Sequence, residues 1–176
     1  MKTLSTLTIT PAGATLNGTL LAEAGITGLY RRFVGDYPKF FKMDHLCKLG
    51  LLGAELLLKD FTPEEKERGA VVIFNRSGSL DADRHYQSTL AADNYFPSPA
   101  LFVYTLANIV TGEIAIRHKI YGETSFYIMD ARDDTAMQCI LDSTLLTSDP
   151  SFILTGWIEY AGEDDYIADM KIMIQE

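Results

Sequence analysis

Three groups of residues in this 176-residue chain are of types that do chemistry. The first is the run Met129-Asp130-Ala131-Arg132-Asp133-Asp134, which closes an apolar segment. Carboxylates there suit the positive end of a following helix as caps. Asp130 can also be read as an acid or base set beside His85 or Arg84, although no spacing links the three. The second group is the cysteines, Cys47 and Cys139. Two cysteines make no disulfide framework. Both fall on helical patterns, and buried free thiols are usually inert. The third is His45, His85 and His118, scattered and without CxxC or HExxH spacing. No metal and no cofactor are therefore expected. The polar loop Asn75–Leu80, NRSGSL, follows an apolar run, where open α/β sheets often carry sites. It lacks the glycine pattern of a phosphate cradle.

Charge narrows the partners. The net charge is −9, which speaks against nucleic acid, because phosphate backbones need clustered Lys and Arg. Segment 30–59 differs from the rest. It holds Arg31, Arg32, Lys39, Lys42, Lys48 and Lys59 against Asp36, Asp44 and Glu55, a balance of +3, which leaves −12 elsewhere. Arg31, Arg32, Lys39 and Lys42 are thus candidates for meeting an acidic carrier protein. The plainer reading is a solvated helix flank.

The length allows one domain, 1–176, with a sizeable core. Hydrophobic residues at 47% and charged residues at 22% are an ordinary balance. No apolar run approaches the ~20 residues of a membrane span. The N-terminus has one lysine and no long apolar block, unlike a signal peptide, so a cytoplasmic location is expected.

The elements that must position these residues follow from periodicity. Residues 3–10 and the stretch after them read as a strand pair turning at Pro11–Gly13, with Asn17-Gly18 as an alternative turn or bulge. Residues 26–39, with Gly28, Gly35 and Pro38, read as a loop with at most one helical turn. Phe40 to Lys59 has a broad apolar helical face, with Gly50 and Gly53 permitting close packing. A charged turn begins at Thr62. Ala70–Phe74 reads as a strand buried on both faces. A short helix at 81–91 is broken by Asn94–Pro99. Residues 101–117 read as one long helix, apolar nearly all round, with Gly112 at a close approach. Ser125–Met129 is a strand, 131–146 a helix, and Phe152–Tyr160 and Tyr166–Ile174 a hairpin through Gly162–Asp165. The alternation predicts an α/β domain with a mixed sheet and helices on both faces.

Leu101–Glu123 carries Asn108, Gly112, Ile116 and Gly122 at a spacing that resembles the N-terminal half of the β-ketoacyl synthase family. Asp149–Gly156, DPSFILTG, is similar to that family's next strand. The resemblance runs through roughly residues 40–160 and implies a three-layer, thiolase-like half. It also implies a strand-to-helix elbow where the family carries a nucleophilic cysteine. Here Asp130 and Ala131 occupy the elbow, so no catalytic residue is assigned. The family's catalytic histidines come from a second half, and ADMKIMIQ resembles the first strand of such a half.

The resemblance implies a nucleophile-less, chain-length-factor-like protein of fatty-acid or polyketide-type, aryl-polyene-like biosynthesis. Its partner would be an active ketosynthase or a second copy, with acyl carrier protein as a further partner. The implied dimer strand is Ser125, Phe126, Tyr127, Ile128 and Met129, which is apolar on both faces. The alternatives are a homodimeric acyl-binding half-domain without chemistry and an unrelated enzyme using Asp130.

Overall fold

The computed structural model describes residues 1–91 and 96–175. Three short strands come first: β1 (Lys2–Thr10), β2 (Gly13–Leu16) and β3 (Thr19–Ala22). Then come α1 (Ile26–Phe33), a 3₁₀ turn (Pro38–Lys42), α2 (His45–Leu57), α3 (Pro63–Glu67) and β4 (Ala70–Asn75). The middle holds α4 (Leu80–Gln87), α5 (Pro99–Val103), α6 (Ile109–His118) and β5 (Thr124–Ile128). α7 (Asp134–Ser148) leads into β6 (Ile153–Gly162) and β7 (Asp165–Ile174). One mixed sheet results, in the order β3-β2-β1-β7-β6-β4-β5. β4 runs parallel to β5 and β6, and the other pairings are antiparallel.

Both candidate turns near the N-terminus are used. Asn17 and Gly18 have φ of 50° and 77°, the left-handed pair that a tight two-residue hairpin demands. The Asn17 side chain also accepts the Thr6 N–H at 2.8 Å.

β4 is buried along its whole length and joins two cores. Val71 and Ile73 face the larger core, built from α1, α2 and α6. Ala70, Val72 and Phe74 face the smaller one, closed by Met137 and Leu141 of α7. This is the mixed sheet with helices on both faces that the alternation predicts. α2 is the central support. Asp44 caps it by accepting the Cys47 N–H at 3.1 Å, and most of its residues are buried. A Cβ at Gly50 would lie 2.3 Å from Val110 Cγ2, and one at Gly53 2.1 Å from Met170 Sδ. Both glycines permit close packing, as expected.

Four expectations fail. Residues 26–33 form the two-turn helix α1 rather than a loop with a single helical turn, because burial of Leu29 and Tyr30 outweighs the weak propensity of Gly28. Tyr30 stacks on Phe40 with centroids 4.1 Å apart and fastens α1 to the 3₁₀ turn.

The long helix at 101–117 is two helices, α5 and α6. Side chains take up carbonyls in the break: Ser79 Oγ donates to Thr105 O at 2.6 Å and Thr105 Oγ1 to Phe102 O at 2.7 Å. Val110 and Ile114 are core, whereas Leu101, Val103, Leu106 and Ile116 are exposed. Pro99 opens α5 behind Ser98, which accepts the Leu101 N–H at 3.3 Å. Asn94, expected in this breaking segment, lies outside the described residues.

Gly112 faces open space rather than a close neighbour. Finally, α7 begins at Asp134, and Cys139 is exposed instead of buried. The core stripe is Met137, Leu141 and Thr144, at helical spacing, and Cys139 sits about 200° round from Met137 at ~100° per residue.

Candidate functional site

β4 and β5 are parallel and end together, so the loops that leave them share one edge of the sheet. Ligands of open α/β sheets sit at such edges. Two devices fix the loops. Met129 N donates to Asn75 O at 2.9 Å, which holds the elbow against β4. The buried Asn75 side chain bonds both ways to Gly78, Nδ2 donating to its O at 2.9 Å and Oδ1 accepting its N–H at 3.0 Å. Glu159 on β6 accepts from Arg76 N, Ser77 N and Ser77 Oγ and closes the same loop.

The elbow itself is Met129–Asp133. Asp130 and Ala131 are exposed, and Asp130 has no hydrogen bond or ion pair among the described residues. His85 Nδ1 lies 2.9 Å from Asp81 O, and neither it nor Arg84 bonds to Asp130. An enzyme built on Asp130 with those partners finds no support. Asp133 is the α7 cap, as the run of carboxylates suggested. Its Oδ1 accepts from Thr135 N and Ala136 N, both at 3.0 Å. The amides of the first turn that could stabilise an oxyanion are therefore partly taken by a carboxylate.

Arg132 bridges Asp134 at 2.9 Å and Asp169 of β7 at 2.7 Å, and the Asp169 hydrogen bond leads the causes that raise its guanidinium pKa. No thiol serves this elbow. Cys139 lies six residues beyond Asp133 on the exposed side of α7, about 9 Å along a helix of ~1.5 Å rise. Cys47 is buried, and burial, then Asp44, pushes its thiol well up.

One cluster was not legible. His45 Nδ1 is 2.9 Å from Asp81 Oδ2, and His85 Nδ1 is 3.6 Å from Asp81 Oδ1. The His45 ring stacks on Tyr160 at 4.3 Å. His45, Asp81 and His85 border a cavity of about 160 Å³ with Leu101 and Tyr104. Behind it, buried Glu113 takes Lys39 Nζ at 2.6 Å and the Tyr104 hydroxyl at 3.4 Å. Burial, then Glu113, raises the Tyr104 phenol. The Asp81–His85 spacing of four on one helix was the available signal; His45 has no sequence link to them. Among the described residues no group of His, Cys, Asp and Glu can hold a metal ion.

The basic candidates lie on neighbouring elements. Arg31 and Arg32 are exposed in the last turn of α1, and Lys39 and Lys42 are exposed on the 3₁₀ turn. Lys39 is committed to Glu113, which leaves Arg31, Arg32 and Lys42 without an ion pair among the described residues. Ser125 to Ile128 lie on β5, and Met129 follows it. β5 is an edge strand of the sheet. Val71 N donates to Glu123 O and Met129 N to Asn75 O, so odd-numbered residues of β5 turn their backbone groups to β4. By alternation, Thr124, Phe126 and Ile128 turn theirs outward.

No family model matches the chain, and no curated protein matches its sequence. Solved structures match its fold. The ishigamide ketosynthase/chain length factor superposes with a TM-score of 0.73 at 17% identity, over 98% of this chain. The chain spans 61% of the length of that protein. A structure of the ketosynthase ApeO with its chain length factor ApeC, from Xenorhabdus doucetiae, gives a TM-score of 0.69 at 16% identity, over 99% of this chain and 79% of the other. No helix of the described residues is long and apolar enough to cross a membrane. The mixed sheet, its helices and the elbow between β5 and α7 therefore have the fold of the ketosynthase and chain-length-factor proteins, as the motif spacing implied.

Proposed function

We propose that this chain is a nucleophile-less ketosynthase-like subunit. It pairs with an active ketosynthase in the manner of a chain length factor and serves fatty-acid or polyketide-type, aryl-polyene-like biosynthesis in the cytoplasm. The observation that carries this is the elbow. Ala131 has no nucleophile, and Asp133 already occupies amides of the α7 first turn. Covalent acyl transfer needs a nucleophile with an activating neighbour, and the elbow has neither. The partner ketosynthase would supply the cysteine and the histidines. An acyl carrier protein, acidic in character, would meet Arg31, Arg32 and Lys42. Lys39 is less available because of Glu113.

The test has two parts. Incubation of the isolated chain with an acyl thioester, read by intact mass, should leave it unmodified. Co-expression with an active ketosynthase should give a stable complex. A stoichiometric adduct on Cys139 or Cys47 would overturn the reading. A second reading is a homodimeric acyl-binding half-domain, favoured by the outward backbone groups of β5, which suit a two-fold copy equally well. Failure to capture any ketosynthase, with a stable homodimer in its place, would select it.

A further inference from the structure

A cavity of about 530 Å³ opens where the ends of α2 and α6 approach α3. Lys59, Lys66, Arg117 and Lys119 line it, against Glu55 and Glu67. Arg117 is neutralised in place. Its Nε lies 2.6 Å from Glu55 Oε1 and its Nη2 2.8 Å from Asp36 Oδ1. The side chains of Lys59, Lys66 and Lys119 have no ion pair or hydrogen bond among the described residues. Three unpaired cations thus share one cavity on a chain of net charge −9. Cations near a helix C-terminus answer the helix's own negative end, and this accounts for Lys119 on α6 and Lys59 beyond α2. Lys66, in the last turn of the five-residue α3, answers that helix's end in the same way, so helix ends explain each lysine singly but not why the three meet at one cavity.

A second observation is independent of these charges. The His118 side chain borders the same cavity and is only 7% exposed. Its buried Nε2 has no hydrogen-bond partner among the described residues. Glu55 Oε1 stands 3.8 Å away, beyond hydrogen-bond reach. Buried polar atoms left unpaired are rare and call for an explanation.

We propose that this cavity binds a phosphate group, free or carried on a small molecule. A phosphate dianion relieves the crowding of Lys59, Lys66 and Lys119, since lysine serves phosphate as a mobile point charge. Its charge also acts on the His118 imidazole, which borders the cavity. The cavity exceeds a bare phosphate, and Phe33 and Pro63 supply apolar wall for the remainder of a phosphoester.

His118 is faced by Glu55 from α2, by Lys66 from α3 and by Arg117 on its own helix. Burial first, then Lys66 and Arg117, lowers its pKa to about 4. A bound anion opposes the two charge effects, of Lys66 and Arg117. Binding therefore raises the His118 pKa.

Pyrophosphate, inorganic phosphate and adenosine monophosphate are titrated separately into the full chain by calorimetry. The His118 imidazole is followed in parallel by NMR. Saturable binding is expected, with the His118 titration midpoint moving up. Adenosine monophosphate binding more tightly than inorganic phosphate identifies a phosphoester; equal binding identifies free phosphate. Lys59→Ala with Lys66→Ala should weaken binding about tenfold, the equivalent of ~1.4 kcal/mol. Lys2→Ala with Lys171→Ala, on residues outside the cavity lining, should leave it unchanged. The proposal is overturned if none of the three probes binds saturably, if both double variants weaken binding equally, or if His118 ignores a saturating probe.

Discussion

His118 shows how a single side chain can set the behaviour of the protein in acid. At the end of α6 beside Lys119, the helix dipole by itself would favour a charged imidazole. Burial makes it neutral instead, with a pKa of about 4 against an ordinary 6.5. Between those values the unfolded chain holds a proton that the folded chain refuses. Stability is complete above pH 6.5 and is lost as the pH falls towards 4. The loss is about 3 kcal/mol, because each pH unit between the two values is worth ~1.36 kcal/mol. Urea unfolding of His118→Gln should show a shallower loss over this window than the parent, and parallel curves would refute the assignment.

Asp133 makes a second residue-scale prediction. Asp133→Ala should cost about 1 kcal/mol as a lost helix cap, without creating a nucleophile, and a thermal melt reads it. The two residues also mark what the sequence could tell. Asp133 as a cap was legible, because capping is chemistry between residues two or three apart. The neutrality of His118 was not, because Glu55 and Lys66 reach it from other elements.

Glycines make the element-scale test, because two kinds sit in similar helical patterns. Gly50 on α2 meets Val110 of α6 and Gly53 meets Met170 of β7, where no Cβ fits. Gly112 on α6 faces open space. Gly50→Ala should therefore destabilise by about 1–3 kcal/mol through overpacking, despite its gain in helix propensity. Gly112→Ala should stabilise by about 0.5–1 kcal/mol, because only the propensity gain remains. Chemical denaturation of both variants checks the pair, and equal signs would contradict the packing.

Sequence patterning located the main strands and helices correctly, because burial periodicity is local. It joined α5 to α6 because Leu101, Val103 and Leu106 keep the helical period while pointing away from the chain's own core. Periodicity reports an apolar face and does not say what covers it. It missed α1 because the burial of Tyr30 depends on Phe40, which lies beyond the intervening Gly35 and Pro38.

Assembly is the whole-molecule question, and the register of β5 turns it into a sharp experiment. At one end of the sheet order, β3 is four residues long; at the other stands β5. Thr124, Phe126 and Ile128 of β5 direct their backbone N–H and C=O groups away from β4. The Ile128 side chain is 62% exposed, so an unpaired polar ladder lies beside apolar surface. An edge of this kind invites pairing. A two-fold antiparallel match to a second copy, or to a ketosynthase of the same fold, satisfies the ladder and covers Ile128. Such an interface should exceed the ~1,200 Å² of stable complexes.

The alternation separates two proline substitutions that otherwise look alike. Tyr127 turns its N–H to β4, so Tyr127→Pro breaks the sheet itself and should lower the melting temperature of the fold. Ile128→Pro removes only an outward donor from a mostly exposed residue, so the chain should stay folded by circular dichroism and sediment as a monomer. A wild-type chain that sediments as a monomer at micromolar concentration, alone and with a ketosynthase, would remove the case for pairing through β5. An Ile128→Pro variant that still associates fully would move the interface to another surface, and the exposed face of α5, where Leu101, Phe102 and Val103 stand open, would be the next to test.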